Sequence, residues 1–253
     1  MPEKIYIQWF RQDLRLADNP ALSHAAESGS VIPVYILDQV HGGDHRPGGA
    51  SRWWLHHSLK ALDESLQGNL NVFQGDPKQI LQSLLEKHRA SGIFWNRCYE
   101  SWSRNRDASI KQFFKEKGVE AESFNGSLLW EPMEVLKSDD TPYRVFTPFF
   151  RNACLNAPPP REPLPVPKNL SLLKSELSES VESLGLLPKV PWDRKIEPHW
   201  RVSEKGGQEK MLEFFEKGLM HYKEGRNFPA KSYVSRLSPY LHQGQISSNQ
   251  AWY

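Results

Sequence analysis

Five short runs rich in β-branched and aromatic residues punctuate the first 124 residues, and longer stretches with apolar residues at helical spacing separate them. The runs are Ile5–Phe10, Val31–Leu37, Leu70–Phe73, Gly92–Trp95 and Val119–Phe124. Asn19-Pro20 and Asp76-Pro77 each supply a capping side chain followed by proline at the first helical position. Between the runs, Leu55, Leu59, Leu62 and Leu66 share one helical face ahead of Gly68, and Ile80, Leu81, Leu84 and Leu85 share another. Ile110, Phe113 and Phe114 mark the inward side of a helix reaching about Lys117. Parallel strands need crossovers of this length, so residues 1–130 are predicted to form a doubly wound, five-stranded parallel α/β sheet.

The character changes after Trp130. Ala157–Lys168 holds Pro158, Pro159, Pro160, Pro163, Pro165 and Pro167, which bars regular helix or sheet. Ser171–Ser183 is polar and weakly patterned and reads as exposed connection. Residues 131–198 are therefore expected to be an interdomain linker, and residues 199–253 the opening of a helical domain. A helix is predicted over Gly207–Glu224, with Met211, Phe215, Leu219 and Tyr222 on one face. Another starts at Ser238-Pro239 and stops at Gly244, and Ser247 caps a third that reaches Tyr253. A domain ending one turn into an amphipathic helix is expected to be incomplete.

Several functions lack their signatures. No phosphate-binding P-loop, G-x-G-x-x-G turn, H-E-x-x-H pair or G-x-S-x-G elbow occurs. Cys98 and Cys154 are the only cysteines, read as reduced, packed thiols, and no metal site is expected. No stretch has the apolar length to span a bilayer, and Met1-Pro2-Glu3-Lys4 lacks a leader pattern, so a cytoplasmic monomer is expected. A net charge of +2 neither requires nor forbids a nucleic-acid partner.

The first strand leads into Trp9–Leu22, a loop with Arg11, Asp13, Arg15 and Asp18 at the carboxyl end of the sheet, where open α/β folds bind ligands. The residues alone favour a salt-bridged loop with a helix cap. The segment W-F-R-x-D-L-R-x-x-D-N-x-A-L resembles the opening signature of DNA photolyases and cryptochromes. Further blocks similar to that family follow in order: Val31–Asp38, Ser51–Leu59, Asn96–Glu100 with Arg106-Asp107, Thr147–Arg151, Arg226–Pro229, Ser235–Leu241 and Gly244–Ser247.

The resemblance implies a Rossmann-like antenna domain, a linker and the start of an all-α FAD-binding domain. It implies that Ser235, Arg236, Leu237 and Ser238 hold the flavin diphosphate, with Tyr222 close by, and that Arg226 grips the backbone of damaged DNA. Ordinary helix capping by the two serines, and a solvated Arg226, are the plainer readings. The implied reaction is splitting of a cyclobutane pyrimidine dimer by photoinduced electron transfer from reduced FAD, with the base pair opened and the dimer flipped out. Catalytic residues are expected beyond Tyr253, so the chain alone is expected to be inactive. An antenna chromophore is placed against Phe10, Arg11, Leu37, Asp38, Arg52 and Trp102. Trp102-Ser103 replaces the Asn-Glu pair of the best-known folate binders, which leaves folate, deazaflavin and FMN open. A cryptochrome photoreceptor is the alternative function, and an adenine-nucleotide-binding α/β enzyme a more distant one.

Overall fold

The computed structural model describes residues 4–228 and 230–253; Met1–Glu3 and Pro229, the last residue of one motif block, lie outside them. Its nucleus is a parallel sheet of β1 (Ile5–Phe10), β2 (Ser30–Asp38), β3 (Asn71–Gly75), β4 (Gly92–Asn96) and β5 (Glu120–Phe124), in the order β3-β2-β1-β4-β5. Successive crossovers run outward on either side of β1, so the chain reverses direction across the sheet between β1 and β4. Loops leaving these two strands diverge there and open a crevice.

Four helices make the crossovers: α1 (Pro20–Ser28), α2 (Gly49–Ser65), α3 (Pro77–His88) and α4 (Ser101–Glu116). The expected caps are in place, with Asn19 accepting from the Leu22 amide and Asp76 from the Lys78 amide. Side-chain alternation along the strands feeds two cores. Tyr6, Phe10 and Tyr35 meet α1 and α2 through Leu22, Leu55, Leu59 and Leu62, while Ile7, Trp9, Ile93 and Trp95 meet α3 and α4 through Leu81, Leu84, Ile110 and Phe114.

Ser171–Ser183 departs from its expected role as exposed connection. Leu173 donates its amide to the Val31 carbonyl and Val31 to that of Ser171, so the segment fills the edge of β2 that β3 leaves unpaired. Glu179 then bonds to Val72 on the outer edge of β3, and Val181, Leu184 and Leu186 enter the core under α2. An open strand edge and an uncovered apolar helix flank drive this return. Ala157–Lys168 has no regular structure, as its prolines require.

The helix expected over Gly207–Glu224 is shorter. A regular α-helix covers Glu204–Glu213, capped by the Ser203 side chain, and the chain then widens and tightens through Phe214–His221. Met211 is buried, but Phe215, Leu219 and Tyr222 are exposed, so the predicted apolar face has no cover among the described residues. The short helices Ser238–His242 and Ser248–Trp252 follow, the second closed by a capping box between Ser247 and Gln250. Between them Gly244 sits at φ +67, and a Cβ there would lie 2.0 Å from the Gln12 carbonyl oxygen. Only glycine lets the two segments approach so closely.

Candidate functional site

The loop after β1 is rigid because its own side chains hold it. Asp13 accepts from the Arg11 amide at 2.6 Å and from the Asn96 amide nitrogen at 2.6 Å, and Asn96 also reaches Asn19 at 2.7 Å. The diverging loops of β1 and β4 are thereby tied at their roots. Beyond them, Arg15, 1% exposed, donates to the carbonyls of Asp18, Gly126 and Gly244. Asp18 is fully buried and accepts from Ser247 Oγ at 2.5 Å, Arg161 at 2.6 Å and the Leu164 amide at 3.0 Å. Glu204 takes the Leu16 and Ala17 amides, and burial raises its pKa above the ordinary carboxyl value. Asp18 and Arg15 thus face the second half of the chain, whereas Asp13 and Arg11 bond to Asn96 and Asp107 within the first.

Above the carboxyl ends of β1, β2 and β4 lies a cavity of about 450 Å³. Arg11, Leu37, Asp38, Trp102 and Arg106 line it from the sheet side, Ser51 and Leu55 from α2, and His242 and Gln243 from the second half. Arg106 pairs with Asp38 at 3.0 Å and Asp107 at 2.8 Å, and its guanidinium lies 5.0 Å from the Trp102 ring and 4.9 Å from the Trp9 ring. Arg11 pairs with Asp107 and its guanidinium lies 4.5 Å from the Trp9 ring, while its buried Nε has no partner among the described residues. Burial by itself would raise the Asp38 pKa; the His41 and Val40 amides and Arg106 outweigh it and hold the carboxylate below its usual range. Burial pushes the Cys98 thiol up, so it lines the cavity as a neutral group.

Four of the six residues expected at an antenna site therefore line one cavity: Arg11, Leu37, Asp38 and Trp102. Two do not. Phe10 is fully buried in the core beneath α1 and α2. Arg52 points along α2 to the Gly185 carbonyl, 2.8 Å away. Sequence reasoning missed Arg106, although it stands one turn after Trp102 on α4, where the two side chains share a face.

The residues expected to hold a diphosphate sit elsewhere. Arg236 adopts φ +51 and is exposed, as is Ser238, and Arg236 makes no ion pair among the described residues. Leu237 instead turns inward against Trp53, Trp54 and Tyr240, which fixes the backbone between them. Ser235 is half-buried and accepts a long, 3.5 Å bond from the Leu237 amide. The Tyr222 neighbourhood is brought to this segment through His221, whose ring packs 4.7 Å from Tyr233. Arg226 stands 5.7 Å over the Tyr222 ring, exposed and without an ion pair among the described residues. Unpaired guanidinium and hydroxyl groups at this position fit the diphosphate of a dinucleotide. No group of three or more His, Cys, Asp or Glu side chains could hold a metal ion, and no helix is long and apolar enough to cross a membrane, among the described residues.

Comparison with known proteins places these features. The DNA photolyase family model matches residues 6–168. A deoxyribodipyrimidine photo-lyase of Agrobacterium fabrum is 41% identical over 98% of this chain and 52% of its own length. Cryptochrome-2 of Arabidopsis thaliana is 33% identical over 97% of this chain and 42% of its own. The crystal structure of a class III photolyase from Agrobacterium tumefaciens superposes with a TM-score of 0.91 at 39% identity, covering 100% of this chain and 53% of that one. An archaeal photolyase from Sulfolobus tokodaii, solved with two FAD molecules, superposes at 0.75 with 26% identity, covering 98% of this chain and 54% of that one. The chain thus spans about half the length of these photolyases.

Proposed function

We propose a function from one premise, that the chain belongs to the DNA photolyase family. The function is light-driven DNA repair, the splitting of cyclobutane pyrimidine dimers by a flavoprotein to which this chain contributes its first half. The observation that carries this reading is 41% identity, over 98% of the chain, to a protein named for that repair. FAD, when bound, supplies the one-electron donation that the reaction needs. The chain's own part is to hold it: Arg236 and the hydroxyls of Ser235 and Ser238 take the diphosphate, and the inward anchor of Leu237 keeps them in place. Tyr222 stands near the same segment, and Arg226 meets the DNA backbone.

The 450 Å³ cavity is assigned to an antenna chromophore of the folate, deazaflavin or flavin kind. Trp102 supplies a flat wall, the Arg106 guanidinium packs 5.0 Å from its ring, and Arg11 lines the same cavity. In this assignment residues 1–130 form the antenna domain, residues 131–198 connect, and residues 199–253 open the flavin-binding domain. The repair protein is taken to be a cytoplasmic monomer. A cryptochrome would share the flavin segment without repair, and the two roles part on DNA binding in the dark. The proposed repair protein holds a duplex containing one thymine dimer far more tightly than the undamaged duplex, and salt weakens that binding. Equal affinity for the two duplexes would favour the photoreceptor role.

A further inference from the structure

The connecting segment contains a helical run that packs against very little. Phe146–Pro148 is α-helical, Phe149–Ala153 widens to i→i+5 bonding and Cys154–Asn156 tightens again, with the Ala157 amide closing on the Ala153 carbonyl. Within Phe146–Asn156 only Ala153 is buried, and Phe149 and Cys154 are half-buried. Phe146 is 73% exposed, Phe150 43% and Leu155 61%, with Val145 at 63% just before them. The Phe146 and Phe150 rings stand one turn apart and stack on each other, 5.8 Å between centroids and 12° from parallel, which gathers the exposed aromatic surface on one side. Single exposed apolar residues need no explanation, but a contiguous set marks surface that another body covers. A helix this short is marginal in water unless an apolar face is packed. This run has the face and lacks the cover among the described residues. Thr147–Arg151, one of the sequence blocks, lies within it and contributes nothing to the charged cavity.

The position of the run points to what covers it. It leads straight into Pro158–Pro160, where Tyr253 is also anchored. The Tyr253 hydroxyl donates to the Pro160 carbonyl at 2.7 Å, the Trp130 indole N–H donates to the Pro158 carbonyl at 2.8 Å, and the Trp252 ring lies 5.7 Å from that of Trp130. Helical rise from Phe150 and three extended residues put that ring within about 20 Å of this junction. In the two Agrobacterium photolyases about as many residues again lie outside the part that this chain matches. Polypeptide continuing past Tyr253 starts beside the run and meets it at the high effective concentration of a tethered segment. A second copy or a separate partner has no such advantage.

We propose that Phe146–Asn156 is a docking element for the half of the flavoprotein that continues beyond Tyr253, which lays apolar side chains over Phe146, Phe150 and Leu155 and so fixes the two halves against each other. The proposal rests on the reading of this chain as the first half of a longer flavoprotein, but not on repair or on any residue assigned to the flavin. The test uses the whole flavoprotein carrying Phe150→Cys, labelled with a maleimide and read by mass spectrometry on the tryptic peptide 145–151, which holds neither native cysteine. Labelling is expected to be about tenfold or more slower than at Val190→Cys, a position 71% exposed. Phe146→Asp places a charge under the cover and is expected to lower the unfolding midpoint by about 5 °C or more, against about 1 °C or less for Val190→Asp. Labelling as fast as at position 190, or equal midpoints for the two aspartate variants, would each overturn the proposal. Protection lost on dilution to a smaller sedimenting species would assign the run to a second copy, and protection seen only with a duplex present would assign it to DNA; both results overturn it as well. A protein that shields position 150 without holding flavin or splitting a dimer would uphold the docking and sink the repair reading.

Discussion

Asp18→Ala tests how the two halves of the chain are joined. The Asp18 carboxylate is fully buried and gathers three donors from three places: Ser247 Oγ at 2.5 Å, Arg161 Nη1 at 2.6 Å and the Leu164 amide at 3.0 Å. Bonds to a charged group are worth about 1.5–3 kcal/mol when buried, and a neutral amide bond about 1 kcal/mol. The Arg161 side chain is 36% exposed, so water takes back much of its share, leaving roughly 1 kcal/mol. Ser247, 3% exposed, has no such relief and contributes about 1.5 kcal/mol. The substitution is therefore expected to cost about 3–4 kcal/mol, a large part of the roughly 5–15 kcal/mol that holds a protein folded. Urea unfolding of parent and variant measures it. Ser247→Ala removes the same contact from the other side, and a double-mutant cycle should return a coupling of about 1 kcal/mol. Faster tryptic cleavage at Arg161 or Lys168 should accompany the loss. A cost below about 1 kcal/mol, or strict additivity of the two substitutions, would refute the reasoning.

Arg236→Ala is expected to weaken flavin retention about tenfold or more, while Arg226→Ala spares the flavin and lowers DNA affinity with a flatter salt dependence; gel filtration with absorbance detection and a filter-binding titration separate the two. Trp102→Ala and Arg106→Leu are expected to release an antenna chromophore that Arg52→Ala retains, since Arg52 is spent on the Gly185 carbonyl; reconstitution with folate, deazaflavin and FMN in turn reads this out. Burial raises the Glu204 pKa in the folded chain, so its contribution to stability is complete below the ordinary carboxyl pKa and is lost as pH rises through the raised value. Glu204→Gln does not titrate, so its stability relative to the parent should climb as pH rises above the ordinary carboxyl range in urea melts, and a flat difference would contradict the burial argument.

What was legible in the sequence was local. Asn19-Pro20, Asp76-Pro77 and Ser247 cap helices because the capping bond spans two or three residues. The central strands β1, β2 and β4 were legible from apolar runs buried along most of their length, as parallel sheets require. Side-chain direction was harder. Phe10 follows Trp9, so alternation turns it to the opposite core; the cavity begins only with Arg11. Arg52 stands about 100° around α2 from Ser51, and the helix carries Ser51 and Leu55 to the cavity instead.

The loop with two arginines and two aspartates reads locally as a salt-bridged loop, but the partners of Arg15 and Asp18 lie far along the chain. Gly244 and Ser247 each meet it across 229 positions, and no local pattern announces such a contact. The return of Leu172–Leu186 to the sheet was hidden for the same reason. Its drive is the unpaired edge of β2, which exists only once the strands have paired. The exposed Phe215, Leu219 and Tyr222 reverse the case: their periodicity was clear, but the surface that would cover them is not among the described residues.

The most direct test of the repair assignment is dimer splitting under light. An oligonucleotide carrying one thymine dimer is mixed with the FAD-loaded whole flavoprotein to which this chain contributes its first half, in reducing buffer, and divided between blue light and darkness, and recovery of absorbance at 260 nm is followed. The account predicts recovery under light only, and slower recovery with Arg236→Ala at limiting flavin. A protein that keeps its flavin and binds the lesion, yet leaves the dimer intact under light, would contradict it.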